Sequence, residues 1–509
     1  MYGILDSEMA NPLKQLAGET AIYGLSTILA RVVNFLLVPV YTAILSRSDY
    51  GVVTEFLSYI AILQVVLALG LETGCFRYAT IKEINNSSKV FSTAFSIVFV
   101  LCALFYICCS TFSGGISTAL GYEGNGRVIK YVGLILWIDT ITAIIFARLR
   151  YEHKAVKFAI IKTLKILTEL GVNLLLYLRF PKFAAAHPDS WMLTFVSPLP
   201  DYTYAIFAIL ISCLLCLILL VPEIFRLRFR LDKELTRSLL IYSLPLMIAG
   251  LPGVLNDFMD RILMRFLNAD PSLWRADLGV YQAGVKIAVI MSLFVQMFRY
   301  AAEPFFFQRE KDKDNKALYA QVMSYFVAFC MFGFLVVTLY LDEIGLILGR
   351  NFREGLSITP IMLMAYVLLG MQFNISMWYK LSGKTGYAVW ITLAGLVVTL
   401  AINFIFMPRY SYYAAAWGHV ASYIVMMGIS LWLGNKYYPI PYNWVQIILC
   451  ILLGLGIYIG SLFVPELSLW PKLGVQTLLL LCYLVPVAAS ILYYRRRKLK
   501  ASNHPTYES

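Results

Sequence analysis

Four ionisable side chains, Asp257, Asp260, Arg261 and Arg265, interrupt an otherwise apolar run from Ser238 to Leu267. At about 100° per residue they fall within an arc of roughly 140°, so they share one face of a helix. A charge inside an apolar span costs about 2.5 to 3.5 kcal/mol on insertion scales and normally faces a bundle interior or a watery cavity. There arginines suit an anion, and a carboxylate suits a proton or a small cation. The purely structural alternative is an ion pair one helical turn apart, Asp257 with Arg261, which leaves Arg265 without a role. Pro245, Gly250, Pro252 and Gly253 stand in the middle of the same run. Gly250, Pro252 and Gly253 are the expected hinge of this helix.

Further embedded cations are Arg31, Lys162, Lys165, Lys286 and Arg299. Arg31 lies about fifteen residues into the first apolar span and Lys286 about ten into the eighth. At 1.5 Å per residue those depths are roughly 22 and 15 Å, too far for either to snorkel out easily. Arg31, Arg261 and Lys286, with Arg265 and Arg299 beside them, are the candidate anion ligands. Lys162 and Lys165 sit nearer a span end, and Lys165 has Glu169 one turn on; Arg299 likewise has Glu303. Snorkelling or self-pairing is the expectation for these. Asp139 is the most isolated embedded carboxylate, and with Asp257 and Asp260 it forms the candidate coupling-ion set. Gln372, Asn374, Asn403 and His419 either bridge helices or line a polar path. Cys213 and Cys216 form a CxxC inside an apolar helix without a histidine nearby, which argues against metal or redox use. No catalytic residue, metal site or cofactor is expected.

The elements that position these residues follow from composition. Of 509 residues 60% are hydrophobic and 14% charged, and the mean hydropathy is +0.73. Such a chain is an all-α polytopic membrane protein. The surplus of 13 positive charges reflects basic cytoplasmic loops rather than nucleic-acid binding, for which no motif is present. About fourteen spans of about 20 residues are predicted, from Leu16 to Tyr494. Basic segments at Arg148, Arg226, Gln308 and Arg495 all fall on one side if both termini are cytoplasmic, with about 25 of the 42 Lys and Arg residues inside. The N-terminus carries Asp6, Glu8 and Glu19 and lacks a signal-peptide pattern, so the first helix is expected to be retained. The loops are short, which leaves no room for a soluble catalytic domain.

SRSDYGVVTEFLSYIAIL from Ser46 and RADLGVYQAGVKIAVI from Arg275 each join a helix to the next through a turn. Aligning Gly51 with Gly279 gives an internal repeat at an offset of about 228 residues. Duplication with a substrate site between the halves is a common transporter plan. The expected organisation is therefore two pseudo-symmetric six-helix lobes, residues 1–225 and 238–435, joined by a basic cytoplasmic linker at 226–237. Two C-terminal helices over 436–494 and a basic cytoplasmic tail at 495–509 follow.

The run from Ser26 to Tyr78, with its turn ending D-Y-G and its second helix ending G-L-x-x-G, resembles the opening of the polysaccharide-synthesis and O-antigen flippases. These belong to the multidrug/oligosaccharidyl-lipid/polysaccharide (MOP) exporter superfamily. NDFMDRILMRFL, LGVYQAGVKIAVI and FRYAAEPFFFQ in the second half add to the likeness. The resemblance implies translocation of an undecaprenyl-pyrophosphate-linked oligosaccharide between leaflets of the bacterial inner membrane by alternating access. It also implies a monomer in contact with membrane lipids and with other polysaccharide-assembly proteins. In that setting the cations would meet the pyrophosphate, and Gln372, Asn374, Asn403 and His419 the sugars. Related lipid II flippases have an arginine in the place of Arg31, but their second arginine is Leu37 here. A drug or cation exporter would want an acidic cavity, and a polymerase or ligase a larger outer loop.

Overall fold

The computed structural model describes residues 24, 28–80, 87–310, 315–465 and 467–502, with side chains through Ala489. Among these residues every regular element is a helix. Twelve helices are long and apolar enough to cross a membrane: α2 Arg47–Ala79, α3 Ser87–Thr111, α4 Gly126–Tyr151, α6 Tyr202–Ile224, α7 Lys233–Leu267, α8 Trp274–Gln308, α9 Asn315–Leu339, α10 Arg350–Leu381, α11 Tyr387–Tyr410, α12 Tyr412–Tyr437, α13 Trp444–Ser461 and α14 from Leu469. The other two predicted spans are present as less apolar or shorter helices. α5, Ala155–Leu178, carries Lys157, Lys162, Lys165 and Glu169. α1 is described over Ile28–Ile44, and the start of its predicted span, with the N-terminal segment, lies outside the described residues.

Local sequence explains the irregularities within these helices. α1 loosens into a turn at Leu37, two residues before Pro39, whose missing amide removes one helical hydrogen bond. α2 breaks at Leu69 and Gly70, both left-handed with φ of 51° and 66°, and restarts at Leu71. Glycine adopts that conformation without a steric penalty. A Cβ on Gly70 would come within 2.6 Å of the Ser243 carbonyl of α7, and one on Gly74 within 2.2 Å of the Ser243 hydroxyl. The G-L-x-x-G pattern thus marks a helix break and a close helix crossing.

The chain divides into two compact units: 1–283 with 348–352 and 396–418, and 284–347 with 353–395 and 419–509. The apolar core of the first unit is shared by α2, α3, α4, α6 and the start of α7, with Phe56, Phe91, Ile135, Cys213 and Leu239 fully or nearly fully buried. The linker after α6 is strapped to α3, where the Ser92 and Ser96 hydroxyls accept from the Arg228 and Arg230 amides at 3.2 and 2.9 Å. Asp232 then caps α7 by accepting from the Leu235 amide and pairs with Lys89 at 2.7 Å. In the second unit α9 packs on α13, where Gly454 lets Met331 approach. Gly284 of α8 abuts the Gly355 carbonyl, and the Gly284 carbonyl accepts from Thr359.

The first unit also holds a reciprocal contact at the starts of α2 and α8. A Cβ on Gly51 would lie 1.9 Å from the Arg275 carbonyl oxygen, and one on Gly279 would lie 2.0 Å from that of Arg47. Position i of one repeat meets position j of the other and the reverse, as a two-fold relation requires. The register is the one obtained by aligning Gly51 with Gly279. Gly121 and Gly349, which correspond at the same offset, cross over as well. The Gly121 carbonyl accepts from Arg275 at 2.8 Å, and the Gly349 amide donates to Thr42 at 3.1 Å.

Candidate functional site

Three of the four charged side chains of α7, Asp260, Arg261 and Arg265, meet named partners. Asp260 is fully buried; one carboxylate oxygen accepts from Arg261 at 3.1 Å and the other from the Tyr281 hydroxyl at 2.6 Å. Arg261 also donates to the Asp257 backbone carbonyl and reaches Gln282 of α8 at 3.5 Å. Its guanidinium lies over the rings of Phe258 and Tyr281. The adjacent Asp260, on the buried side of α7, is a counter-ion of Arg261, while Asp257 is exposed.

Arg265, unaccounted for by any pair within α7, finds its partner on α2. Its guanidinium donates to Glu55 at 2.7 Å, a carboxylate with no exposed surface. Tyr59 donates to the same carboxylate at 3.0 Å, and the Tyr122 hydroxyl makes a third contact. Arg275 continues the cluster, lying over the Tyr122 ring at 4.9 Å. Three segments distant in sequence, the start of α2, the turn at Tyr122 and the end of α7, therefore meet around one buried carboxylate. Glu55 was not among the sequence candidates. Its signal was legible: an acid inside an apolar stretch of helix with a tyrosine one turn on.

A second, largely buried pair joins α4 to α5. Lys165 lies 2.5 Å from Asp139, and Cys213 of α6 donates to the same carboxylate oxygen at 3.3 Å. This corrects two expectations, since Asp139 is not isolated and Lys165 reaches across to α4 instead of along its own helix. A carboxylate held by an ammonium in an apolar interior is satisfied where it stands, whereas an i,i+4 pair would leave Asp139 bare. Lys162 rests over the Phe146 ring, 4.4 Å from its centre.

The remaining candidates are distributed differently. Arg31 is exposed and makes no ion pair with any described residue. Lys286, on α8, is half-buried. Arg299 is largely exposed, 3.8 Å from Glu303 as its i,i+4 spacing suggests, and lies over Phe373. Glu303 is more closely held by Lys380, at 2.7 Å. Gln372, Asn374, Asn403 and His419 are all buried within helix packing. α7 runs as one helix through Pro245 and Pro252, while Cβ atoms on Gly250 or Gly253 would meet nothing within 4 Å. Among the described residues no group of His, Cys, Asp and Glu is arranged to hold a metal ion.

The model of a family described as polysaccharide biosynthesis protein matches residues 40–181. No curated protein matches the sequence. The lipid II flippase MurJ in its inward closed conformation has a similar structure, with a TM-score of 0.68 at 13% identity over 94% of this chain and 99% of that one. An inward-facing multidrug resistance MATE family transporter of the MOP superfamily gives 0.59 at 13% over 81% and 94%. A MOP superfamily transporter from Pyrococcus furiosus, whose binding pocket is described as reversed in polarity, gives 0.52 at 12% over 84% and 96%. The chain has the polytopic fold of the MOP exporters, and its resemblance to the polysaccharide-synthesis flippases, first visible around the D-Y-G turn, is borne out by the family match.

Proposed function

We propose that this protein translocates an undecaprenyl-pyrophosphate-linked oligosaccharide, a repeat unit of O-antigen, capsule or exopolysaccharide, from the cytoplasmic to the outer leaflet of the inner membrane. The observation that carries the reading is the polysaccharide biosynthesis match over residues 40–181 within a fold shared end to end with a flippase. The reading is transport rather than catalysis. Two lobes, 1–225 and 238–435, alternate about the substrate, and both termini are cytoplasmic.

The burial pattern ranks the cations. Arg261 and Arg265 have buried counter-ions, Asp260 and Glu55, so their charge is already offset. Arg31 has no described counter-ion, which makes it the first choice for a pyrophosphate, through paired donors. Leu37, where a lipid II flippase resembling this chain would carry a second arginine, is fully buried, and a lipid II substrate is the alternative reading. The test is the lipid-linked intermediate that accumulates on the inner leaflet in a deletion strain, followed by flipping of that intermediate in proteoliposomes. Arg31→Gln should lower flipping per folded molecule about tenfold, the equivalent of about 1.4 kcal/mol, with Arg31→Lys retaining part of it. Accumulation on the outer leaflet would point to a polymerase or ligase, and accumulation of lipid II to the alternative substrate.

A further inference from the structure

A partly open cavity of about 430 Å³ lies in the second unit between the end of α9, the end of α13 and the start of α14. It is remote in sequence from every candidate in the charged face of α7. Its polar side holds Lys472, 2.7 Å from Asp342 and 3.0 Å from Glu343. These three groups sum to one net negative charge. Gln476 also lines the cavity and is 6% exposed. Its amide nitrogen donates to the Leu339 carbonyl at 2.7 Å, but its Oε1 has no hydrogen-bond partner among the described residues. A buried acceptor without a partner is destabilising, and a hydrogen-bond donor brought into the cavity can satisfy it. The rest of the wall is apolar, with Leu462, Leu467, Val475 and Leu479 among its residues.

We propose that this cavity binds a phospholipid with a primary ammonium headgroup, of the phosphatidylethanolamine type. The cavity is walled by the ends of apolar helices, where a spanning protein would meet lipid headgroups. Its charges are those a zwitterion needs. Lys472 faces the phosphate, while Asp342, whose side chain is 79% exposed and free to turn, takes the ammonium. A primary ammonium carries three N–H donors, enough to reach both Asp342 and the orphaned Gln476 Oε1. A quaternary choline headgroup carries none and would leave Gln476 unmet. The acyl chains lie along the leucine and valine wall. This inference does not depend on what the protein transports.

The experiment is native mass spectrometry of the full-length purified protein equilibrated with dioleoyl-phosphatidylethanolamine, its N-methylated derivatives and dioleoyl-phosphatidylcholine at equal concentration. The wild type should retain phosphatidylethanolamine at least about fivefold over phosphatidylcholine, with retention falling stepwise on methylation. Asp342→Asn, at an exposed position, and Gln476→Leu, at a buried one, should each bring the ratio close to one. Thermal unfolding before lipid addition confirms that each variant is folded, and Asp342→Asn decides the matter if Gln476→Leu is not. Equal retention of the two lipids by the wild type overturns the proposal, as does a preference that survives in folded Asp342→Asn. Retention that follows chain length and ignores the headgroup also overturns it.

Discussion

Glu55 can be fully buried among apolar helices only because three donors converge on it, from Arg265, Tyr59 and Tyr122. Removing one partner of a buried ion pair strands the other charge, at about 3 to 5 kcal/mol. Arg265→Gln should therefore lower the thermal stability of the purified protein by an amount in that range, and adding Glu55→Gln should restore most of it. An Arg265→Gln protein as stable as wild type would show that the tyrosines alone suffice. Asp260 and Arg261 call for the same logic with a functional readout. The double change Asp260→Asn with Arg261→Gln should recover the folded protein that Arg261→Gln loses. If flipping per folded molecule also returns to normal, Arg261 serves only its neighbour; if it stays low, Arg261 contributes to transport. The embedded charges were visible as residues in an apolar run. Their partners were not, since Glu55 with Arg265 and Asp139 with Lys165 are pairs between different helices, which periodicity along one helix cannot reveal.

At the scale of helices, the reciprocal contact of Gly51 and Gly279 makes a sharp expectation. A methyl group at either position would stand about 2 Å from a backbone carbonyl oxygen of the other helix, a distance that forces α2 and α8 apart. Gly51→Ala and Gly279→Ala should each destabilise by about 1 to 3 kcal/mol, to a similar degree. The double variant should cost less than the two together, because one separation relieves both clashes. Additive losses in thermal unfolding would contradict the shared contact. The centre of α7 is the opposite case. Gly250 and Gly253 have open space around their Cβ positions, so replacing Gly250, Pro252 and Gly253 with Ala together should leave the fold intact. The helix gains intrinsic stability of about 1 kcal/mol per glycine and about 3 for the proline. If these residues are a hinge, transport slows in that variant, and unchanged flipping removes the hinge from the mechanism.

For the whole molecule, the decisive expectation is orientation. Single cysteines at His187 and Asn351, with the native exposed Cys108 and Cys482 replaced, should react with an impermeant maleimide added to intact cells. One at Arg228 should react only after lysis. Labelling of Arg228 from outside would overturn the proposed topology and put the linker at 226–237 on the outer face. Membrane class, helix number and the repeat were determined by the sequence itself, because they rest on properties read along the chain: hydropathy over about 20 residues and the glycines of two corresponding turns. Which charge neutralises which was decided by the tertiary structure. So were the break of α2 against Ser243, the strapping of the linker to Ser92 and Ser96, and the union of α9, α13 and α14 around a polar cavity. Each depends on a carboxylate, carbonyl or hydroxyl delivered from a remote helix. In an apolar medium a polar group must be met by whatever donor the fold brings within about 3 Å, and that neighbour is a property of packing rather than of spacing along the chain.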